Sequence, residues 1–216
     1  MKQQFSYSEY YAFTHNRTKY FQEYIKGVKE PPNEKMKLGS AIHEWLDDPK
    51  YDIIKVLKED FKIRGKRLLA IRKMLDKAWA KRLSESEVSI IGTMKDGTKL
   101  LAKIDTIDRK ERIMADWKTT DESKRQQWWV DRDEQLSFYA FVYKLAYHKF
   151  LKEIQLYELN TIKGTCKTFY TARGYLDLKD IEQKIQRCIA EIKRLGWWEL
   201  RKSRAERDKI NQQELL

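Results

Sequence analysis

The sequence predicts a single domain of the mixed α/β class, and three observations support this. A central stretch of alternating apolar and polar residues, broken by turn residues, is typical of antiparallel strands. Segments with apolar residues at helical spacing lie on both sides of it. The 216 residues suffice for one substantial core. We therefore expect one domain over 1–216, with a helical region at 1–85, a region with the sheet and further helices at 86–196, and a charged tail at 197–216.

The helical region begins with a segment rich in Tyr and Phe. Ser6 or Ser8 is expected to cap a first helix, which should end near Ile25 because a glycine and two prolines follow. Small and apolar residues at 39–46 predict a second helix, and the apolar spacing over 66–83 predicts a third. The chain before the sheet is therefore expected to be helical.

The later region of the chain supplies the strands. Alternating residues predict them, and an Asp96-Gly97 pair marks the first turn. A helix should run through 136–147, and Asp177 is expected to cap a last helix with an apolar stripe over 178–195. The expected strands are 88–94, 100–108, 113–118, 153–159 and 166–171.

The composition favours an anionic partner and a reducing compartment. The net charge is +12, which suits nucleic acid, although many basic proteins never bind it. Cys166 and Cys188 are the only cysteines, and their spacing matches neither a zinc site nor an iron–sulfur cluster, so no cluster is expected. No apolar run approaches the roughly 20 residues that span a membrane, and the first residues lack a signal-peptide core. We therefore expect a cytoplasmic protein that does not use a membrane.

Asp116 and Lys118 form the pattern that points most directly to chemistry. They are two residues apart in the apolar run 113–118, so a strand would place both side chains on one face. A carboxylate there can bind a hard cation, and a neighbouring ammonium can stabilise the charge that develops when a phosphodiester is hydrolysed. An exposed strand edge with an ordinary surface ion pair explains the same short pattern.

Asp105 is the second acidic residue that a sheet could bring to this face. A two-residue loop between the strands would set Asp105 opposite Met114, and a four-residue loop would set it opposite Asp116. Either register places Asp105 beside Asp116 and Lys118. Because carboxylates this close repel each other, the arrangement favours a divalent cation between them.

Three further polar residues have ordinary explanations when each is taken alone. His43 lies inside the second predicted helix, where a structural histidine is the more common case. Gln135 and Tyr139 are four residues apart on a helix, and for such a pair routine packing and surface polarity are more common than a site. Their order in the sequence relative to the acidic residues is the reason to consider them as site residues.

Five short motifs follow one another in a recognisable order between about 6 and 143. They are Gly39-Ser40-Ala41-Ile42-His43, Glu87-Val88-Ser89, Ala102-Lys103-Ile104-Asp105, Asp116-Trp117-Lys118-Thr119-Thr120 and Gln135-Leu136-Ser137-Phe138-Tyr139. This order resembles the PD-(D/E)XK nucleases, in their RecB-like branch and closest to the RecE-type exonucleases such as exodeoxyribonuclease VIII. The resemblance implies a restriction-endonuclease-like core, in which a central mixed β-sheet is flanked by α-helices.

The resemblance also implies roles for individual residues. His43, Asp105 and Asp116 would bind Mg²⁺ or Mn²⁺, with the main-chain carbonyl of Trp117 as a further ligand. Lys118 would orient or deprotonate the attacking water. The implied catalytic residues are therefore Asp105, Asp116 and Lys118.

The remaining motifs concern Gln135, Tyr139 and Glu87. The first two resemble the family's Gln-x-x-x-Tyr motif, which contacts the DNA strand or supports the catalytic residues. Glu87 stands where the family has a further acidic ligand of the metal. A tight turn at Asp96-Gly97 would pair Glu87 with Thr106, on the face opposite the other acids, unless a bulge intervenes.

As a function, the resemblance implies a metal-dependent DNA exonuclease that acts on duplex ends in recombination or repair, of phage or bacterial type. RecE-type enzymes form rings and pass single strands to an annealing protein, so a homo-oligomer and such a partner are expected by analogy. An endonuclease, or a nuclease for branched or single-stranded DNA, is the alternative with the same fold. A DNA-binding module with an inactive nuclease core is the alternative of another class.

A basic and aromatic segment follows the strand of Lys118. It contains Lys124, Arg125, Trp128 and Trp129, followed by a further arginine. Lys124 and Arg125 are candidate contacts to DNA. The tryptophan pair fits either a platform on which bases stack or a buried pair under a solvated basic edge.

Overall fold

A mixed sheet lies at the centre of the fold. The computed structural model describes residues 4–48 and 50–201. The strands are β1 (Phe5–Ser6), β2 (Glu85–Thr93), β3 (Lys99–Asp108), β4 (Ile113–Thr120), β5 (Glu153–Asn160) and β6 (Thr165–Thr171). β2 pairs along β3, while β1 and β4 pair with opposite ends of β3, and β5 and β6 extend the sheet beyond β4. The β1–β3 and β4–β5 pairs are parallel and the others are antiparallel.

Helices cover both faces of this sheet. They are α1 (Tyr7–His15), α2 (Arg17–Tyr20), α3 (Glu34–Asp47), α4 (Ile53–Glu59), α5 (Gly65–Trp79), α6 (Gln127–Asp131), α7 (Glu134–Tyr147) and α8 (Tyr175–Arg194). Neighbouring residues of β4 show the two faces, because successive side chains of a strand point to opposite sides. Met114 packs in a core with α1, α7 and α8, whereas Ala115 and Trp117 pack in a second core with α3, α4 and α5. The expected fold class, a central mixed sheet flanked by helices, is therefore confirmed.

The first predicted helix is broken into shorter pieces. Ser6, one of the two predicted caps, accepts a hydrogen bond from the Glu9 amide, and the Glu9 carboxylate accepts one from the Ser6 amide. Asn16 then leaves helical geometry, with φ of −153°, and caps α2 with its side chain. A π-helical turn over Phe21–Lys26 completes the segment. The aromatic spacing predicted helix correctly but did not reveal that a second side-chain cap interrupts it.

The last helix starts earlier than predicted. Asp177 is not its N-cap; Gly174 is, and the Asp177 carboxylate accepts a hydrogen bond from the Gly174 amide at 2.7 Å. Helices α4 and α6 were not predicted, because each is short and carries little periodicity.

Some of the expected charged tail packs against the core. In the segment 197–216, residues 197–201 are helical, and Arg201 is buried beside Phe5 and Trp198. Its guanidinium donates two hydrogen bonds to the Glu9 carboxylate, each of 2.6 Å. Residues 202–216 lie outside the described residues.

Within the described residues, none of the helices combines the length and the apolar character that crossing a membrane requires.

Candidate active site

The candidate site forms where β3 and β4 separate. Their ladder ends at the Thr106–Ala115 pair, and the connecting loop has four residues, 109–112, so the four-residue alternative is the one observed. Beyond this pair, the Asp105 carboxylate accepts a hydrogen bond from the Trp117 amide at 2.7 Å. The Asp105 side chain thus accepts the amide hydrogen that a backbone carbonyl of β3 would accept in a continuous ladder. This bond holds the carboxylate against β4.

A chain of polar contacts links β4 to α7. Lys118 Nζ lies 2.8 Å from Asp116 Oδ2 and donates a hydrogen bond of 2.8 Å to Gln135 Oε1. Gln135 Nε2 donates to Asp116 Oδ1 at 3.3 Å and to the Tyr139 hydroxyl at 2.8 Å. Asp133 caps α7 and accepts a hydrogen bond from the Gln135 amide at 2.8 Å. Gln135 therefore holds both members of the ion pair.

Burial governs the charges of these groups. Asp116 is 3% exposed, and burial raises its pKa to about 6, although the Lys118 charge opposes the shift and the Asp105 charge adds to it. Burial disfavours the charged form of Lys118, but the Asp116 charge outweighs it and raises the Lys118 pKa. Burial, followed by the Asp116 charge, raises the pKa of Tyr139, which stays a neutral hydroxyl. The buried position of Asp116 rules out the exposed surface ion pair that the sequence pattern also allowed.

His43, Glu87 and Asp105 form a second polar group, contributed by α3, β2 and β3. Each offers one ligand atom, and these atoms all lie within 4.8 Å of one another. His43 Nδ1 is 3.6 Å from Asp105 Oδ1. The helix approaches the sheet closely because Gly39 has no side chain, and a Cβ there would lie 2.9 Å from Thr119 Oγ1. His43 follows Gly39 by one helical turn and so lies on the same face of α3.

The charges of this second group suit a cation. Burial alone would lower the pKa of His43, but the hydrogen bond and the charge of Asp105 outweigh it, and the pKa is raised. Burial, and then the charge of Asp105, raises the pKa of Glu87. Two carboxylate oxygens and an imidazole nitrogen are donors that divalent cations accept. The side chains present therefore fit a divalent metal ion.

The position of Glu87 differs from the one predicted. The loop between β2 and β3 has five residues, 94–98, and the register pairs Ser86 with Thr106, so the predicted pairing of Glu87 with Thr106 was wrong. Glu87 lies opposite Asp105 instead. It is left out of the ladder and has φ of 48°, while the same register continues on both sides of it. The acid reaches the site through a local backbone turn, with no extra residue inserted.

The structure does not bring every expected ligand into this second group. Asp116 contacts Lys118 and Gln135 and is not among the three clustered residues. The Trp117 side chain is buried, and its ring stacks on Tyr157 with centroids 4.3 Å apart, while its main-chain amide is the donor to Asp105. His43, Glu87 and Lys118 line one cleft of about 800 Å³, so the two polar groups face the same space.

The two basic residues after β4 point in different directions. Lys124 is exposed and forms an ion pair with Glu122. Arg125 is turned inwards, with Nη1 4.0 Å from Asp133 Oδ2 and Nε 3.8 Å from Glu158 Oε2. Arg125 therefore balances two acidic groups beside the site, of which Glu158 is buried.

Asp133 and Glu158 were missed by the sequence analysis. Asp133 directly precedes a helical segment, which is the ordinary signal of an N-cap. Glu158 is 3% exposed and lies beside Lys118 in the parallel β4–β5 ladder. A lone acid in an apolar strand was the only signal for it, because the pairing of distant strands is not visible in the sequence.

Comparisons with known proteins bear on the family to which the chain belongs. A profile of the PD-(D/E)XK nuclease superfamily matches residues 4–205. A solved structure described as "Crystal structure of SSO0001" is similar with a TM-score of 0.41 and 14% identity, over 78% of this chain and 82% of that chain. No curated protein matches the sequence. Because the profile covers nearly the whole chain, this protein belongs to the PD-(D/E)XK nuclease superfamily, a family of metal-dependent nucleases that act on DNA.

Proposed function

We propose that this protein is an exonuclease that degrades DNA from duplex ends. The observation that carries the hydrolytic activity is the placement of the His43–Glu87–Asp105 group and the Asp116–Lys118 pair on one cleft. The order of the five sequence motifs, which resembles that of RecE-type enzymes, supports action from ends.

We assign the metal site to His43, Glu87 and Asp105, joined by Asp116 and the main-chain carbonyl of Trp117. Mg²⁺ or Mn²⁺ is the proposed ion, because oxygen donors predominate in this set. When bound, such an ion supplies positive charge that polarises the phosphate and makes a nearby water more acidic.

The residues of the chain then position the reactants. We propose that the Lys118 ammonium orients the attacking water and stabilises the charge that develops on the phosphate, with Asp105 and Asp116 as the other catalytic residues. The water oxygen bonds to phosphorus in line with the leaving group and releases its proton to solvent. The bond from phosphorus to the sugar oxygen breaks, and that oxygen takes up a proton from solvent. Gln135 fixes the Lys118 ammonium through its 2.8 Å hydrogen bond.

Substrate contacts are proposed for four residues. Gln135 and Tyr139 lie beside the Asp116–Lys118 pair and either support it or touch the DNA strand. Exposed Lys124 is the proposed phosphate contact. Arg125 lies beside it but is engaged with Asp133, so we assign it an electrostatic influence on the strand that passes Lys124.

The wider setting is proposed from the sequence and from the resemblance. We infer a single domain over 1–216 that works in recombination or repair in the cytoplasm of a bacterium or a phage-infected host. A homo-oligomer and a single-strand annealing protein are the proposed partners, by analogy with RecE-type enzymes.

The test compares end-labelled linear duplex with closed circular duplex in Mg²⁺, Mn²⁺ or EDTA. Degradation of linear DNA alone, abolished by EDTA and by Lys118→Ala but retained in the exposed-turn control Lys110→Ala, is the expected result. Cleavage of the closed circular duplex would show that the protein is an endonuclease and not an exonuclease. Binding without cleavage under either metal would favour an inactive nuclease core.

A further inference from the structure

Two adjoining tryptophans of α6 are exposed to solvent. Trp128 is 53% and Trp129 43% exposed, and their rings form an edge-to-face pair with centroids 5.3 Å apart. Tyr170 of β6, 56% exposed, lies beside α6, because Gln127 Nε2 donates a hydrogen bond of 2.8 Å to the Tyr170 carbonyl. Aromatic rings bury much apolar area when they are packed, so adjoining exposed rings mark an interaction site.

The exposure of this pair does not come from a loosely attached helix. Val130, the next residue of α6, is fully buried. The buried guanidinium of Arg173 donates to the Val130 carbonyl at 2.8 Å and to the Asp133 carbonyl at 3.3 Å. It also donates to Ser137 Oγ of α7 at 2.7 Å. The rings are therefore presented on a fixed support, which lowers the entropy cost of binding.

The pair lies close to the cleft. Helix α6 lies in the connection between β4 and α7. The 2.8 Å hydrogen bond between Lys118 of β4 and Gln135 of α7 holds the two elements together where this connection begins and ends. Trp129 precedes Gln135 by six residues, and a chain of this length spans at most about 21 Å. A strand that leaves the cleft can therefore reach these rings within a few nucleotides.

A cation lies beside one of the rings, and a second one precedes them in the chain. The Arg132 guanidinium lies 5.9 Å from the Trp128 ring centroid, and exposed Lys124 precedes the helix. Phosphates are attracted by these cations, while the flat faces of unpaired bases stack on aromatic rings irrespective of sequence. The combination suits a single nucleic-acid strand better than a purely apolar surface of a protein.

We propose that Trp128 and Trp129, with Arg132 beside them, form a stacking platform for the unpaired bases of a DNA strand next to the cleft. The proposal deepens the proposed function and rests on it for the origin of the strand. Binding to the platform does not require cleavage, so the two can be tested apart.

The experiment measures binding of a fluorescent oligothymidylate and of a blunt duplex by anisotropy in EDTA. For the double variant Trp128→Ala/Trp129→Ala we expect a loss of single-strand affinity of at least about tenfold, with duplex affinity unchanged within about twofold. The variant Trp128→Phe/Trp129→Phe should retain most of the affinity, since it keeps flat rings. Leu69→Ala, which removes an exposed side chain of α5, is the control and should bind like the parent protein.

Three results would overturn the platform. They are an unchanged single-strand affinity in the double variant, an equal loss for single strand and duplex, and a change from oligomer to monomer in sedimentation, which would make the patch an interface between copies of the chain. Cleavage is followed in parallel with Mg²⁺. Single-strand binding that depends on the tryptophans, without any cleavage, would support the platform and contradict the proposed exonuclease activity. Cleavage without such selective binding would contradict the platform and leave the exonuclease activity in place.

Discussion

The two polar groups that face the cleft are built in opposite ways. The lysine half consists of Asp116, Lys118, Gln135 and Tyr139, and its members are joined to one another by one ion pair and three hydrogen bonds. The acid half consists of His43, Glu87 and Asp105, in which the two carboxylates lie close together and the charge of Asp105 raises the pKa of Glu87.

The difference between the two halves indicates which of them is suited to bind a metal ion. The lysine half contains its own counter-charge, so its geometry is complete in the protein alone. The acid half keeps two carboxylates close together, Asp105 has the His43 imidazole as its ion-pair partner, and Glu87 adopts φ of 48° to join the group. Such an arrangement costs free energy that a divalent cation can offset.

The largest expected effect separates catalysis from metal binding. Lys118→Met should lower the cleavage rate by about 10²- to 10⁴-fold, because it removes the ammonium that we propose acts on the water and the phosphate. The acid half is untouched, so the rise in Tm caused by Mn²⁺ should remain. Asp105→Asn should lose both properties. Initial rates and thermal melts of the two variants check this, and loss of the Mn²⁺ response in Lys118→Met would show that the halves are not independent.

The next effect concerns the cation itself. At a concentration one hundred times its Kd, a divalent ion should stabilise the parent protein by about 2.7 kcal/mol. Glu87→Gln should bind the ion at least about tenfold more weakly and lose about 1.4 kcal/mol of this gain. In EDTA the same variant should melt at or above the temperature of the parent, because one like charge is gone.

Glu85→Gln is the matched control for this comparison. Glu85 lies on the same strand and pairs with Arg109 at the surface. Equal melting shifts for Glu85→Gln and Glu87→Gln would mean that the ion acts through general screening and not through the acid half.

A smaller effect is expected within the lysine half. Gln135→Ala removes hydrogen bonds to three groups, two of them charged, and should cost about 1–3 kcal/mol of unfolding free energy. Tyr139→Phe removes one of these bonds and should cost about 1 kcal/mol. Both losses should be the same in EDTA and in Mn²⁺, as measured by urea unfolding. A cost of Gln135→Ala that disappears in Mn²⁺ would show that the cation also organises this half.

The smallest effect on stability is expected at Gly39, which sets the position of the acid half. Gly39→Ala gains about 1 kcal/mol of helix propensity but places Cβ 2.9 Å from Thr119 Oγ1, so the net change should stay below about 1 kcal/mol. Cleavage should fall more clearly, because α3 must shift and carries His43 with it.

Thr119→Ala in the same chain should restore the cleavage rate of Gly39→Ala, since the crowded atom is removed. Lys37→Ala, a substitution at an exposed position of α3 outside the lining of the cleft, should leave the rate unchanged. If the cleavage rate of the double variant stays as low as that of Gly39→Ala, the contact between α3 and β4 is not the cause of the loss.

Local sequence patterns predicted the strands well and the registers incompletely. The run 113–118 was correctly assigned to a strand because it is a short apolar run in the central stretch of strands, and the four-residue loop was one of the two alternatives that place Asp105 on the face of Asp116. Glu87 was misplaced because the Asp96-Gly97 pair suggests a tight turn, whereas the observed loop has five residues. The two loops differ by an odd number of residues, which shifts the register of the strands by one residue and moves every side chain to the other face.

The sequence by itself determined the mixed α/β class, the order of the motifs and the identity of the acids, the lysine and the histidine. These follow from periodicity and residue chemistry, which are local properties. Only the tertiary structure decided that Asp116 is paired with Lys118 and Gln135 while His43, Glu87 and Asp105 cluster apart, and that the tryptophans of α6 are exposed. Those outcomes depend on how strands and helices distant in the chain pack together, and burial, pKa and the distance between ligands are properties of that packing.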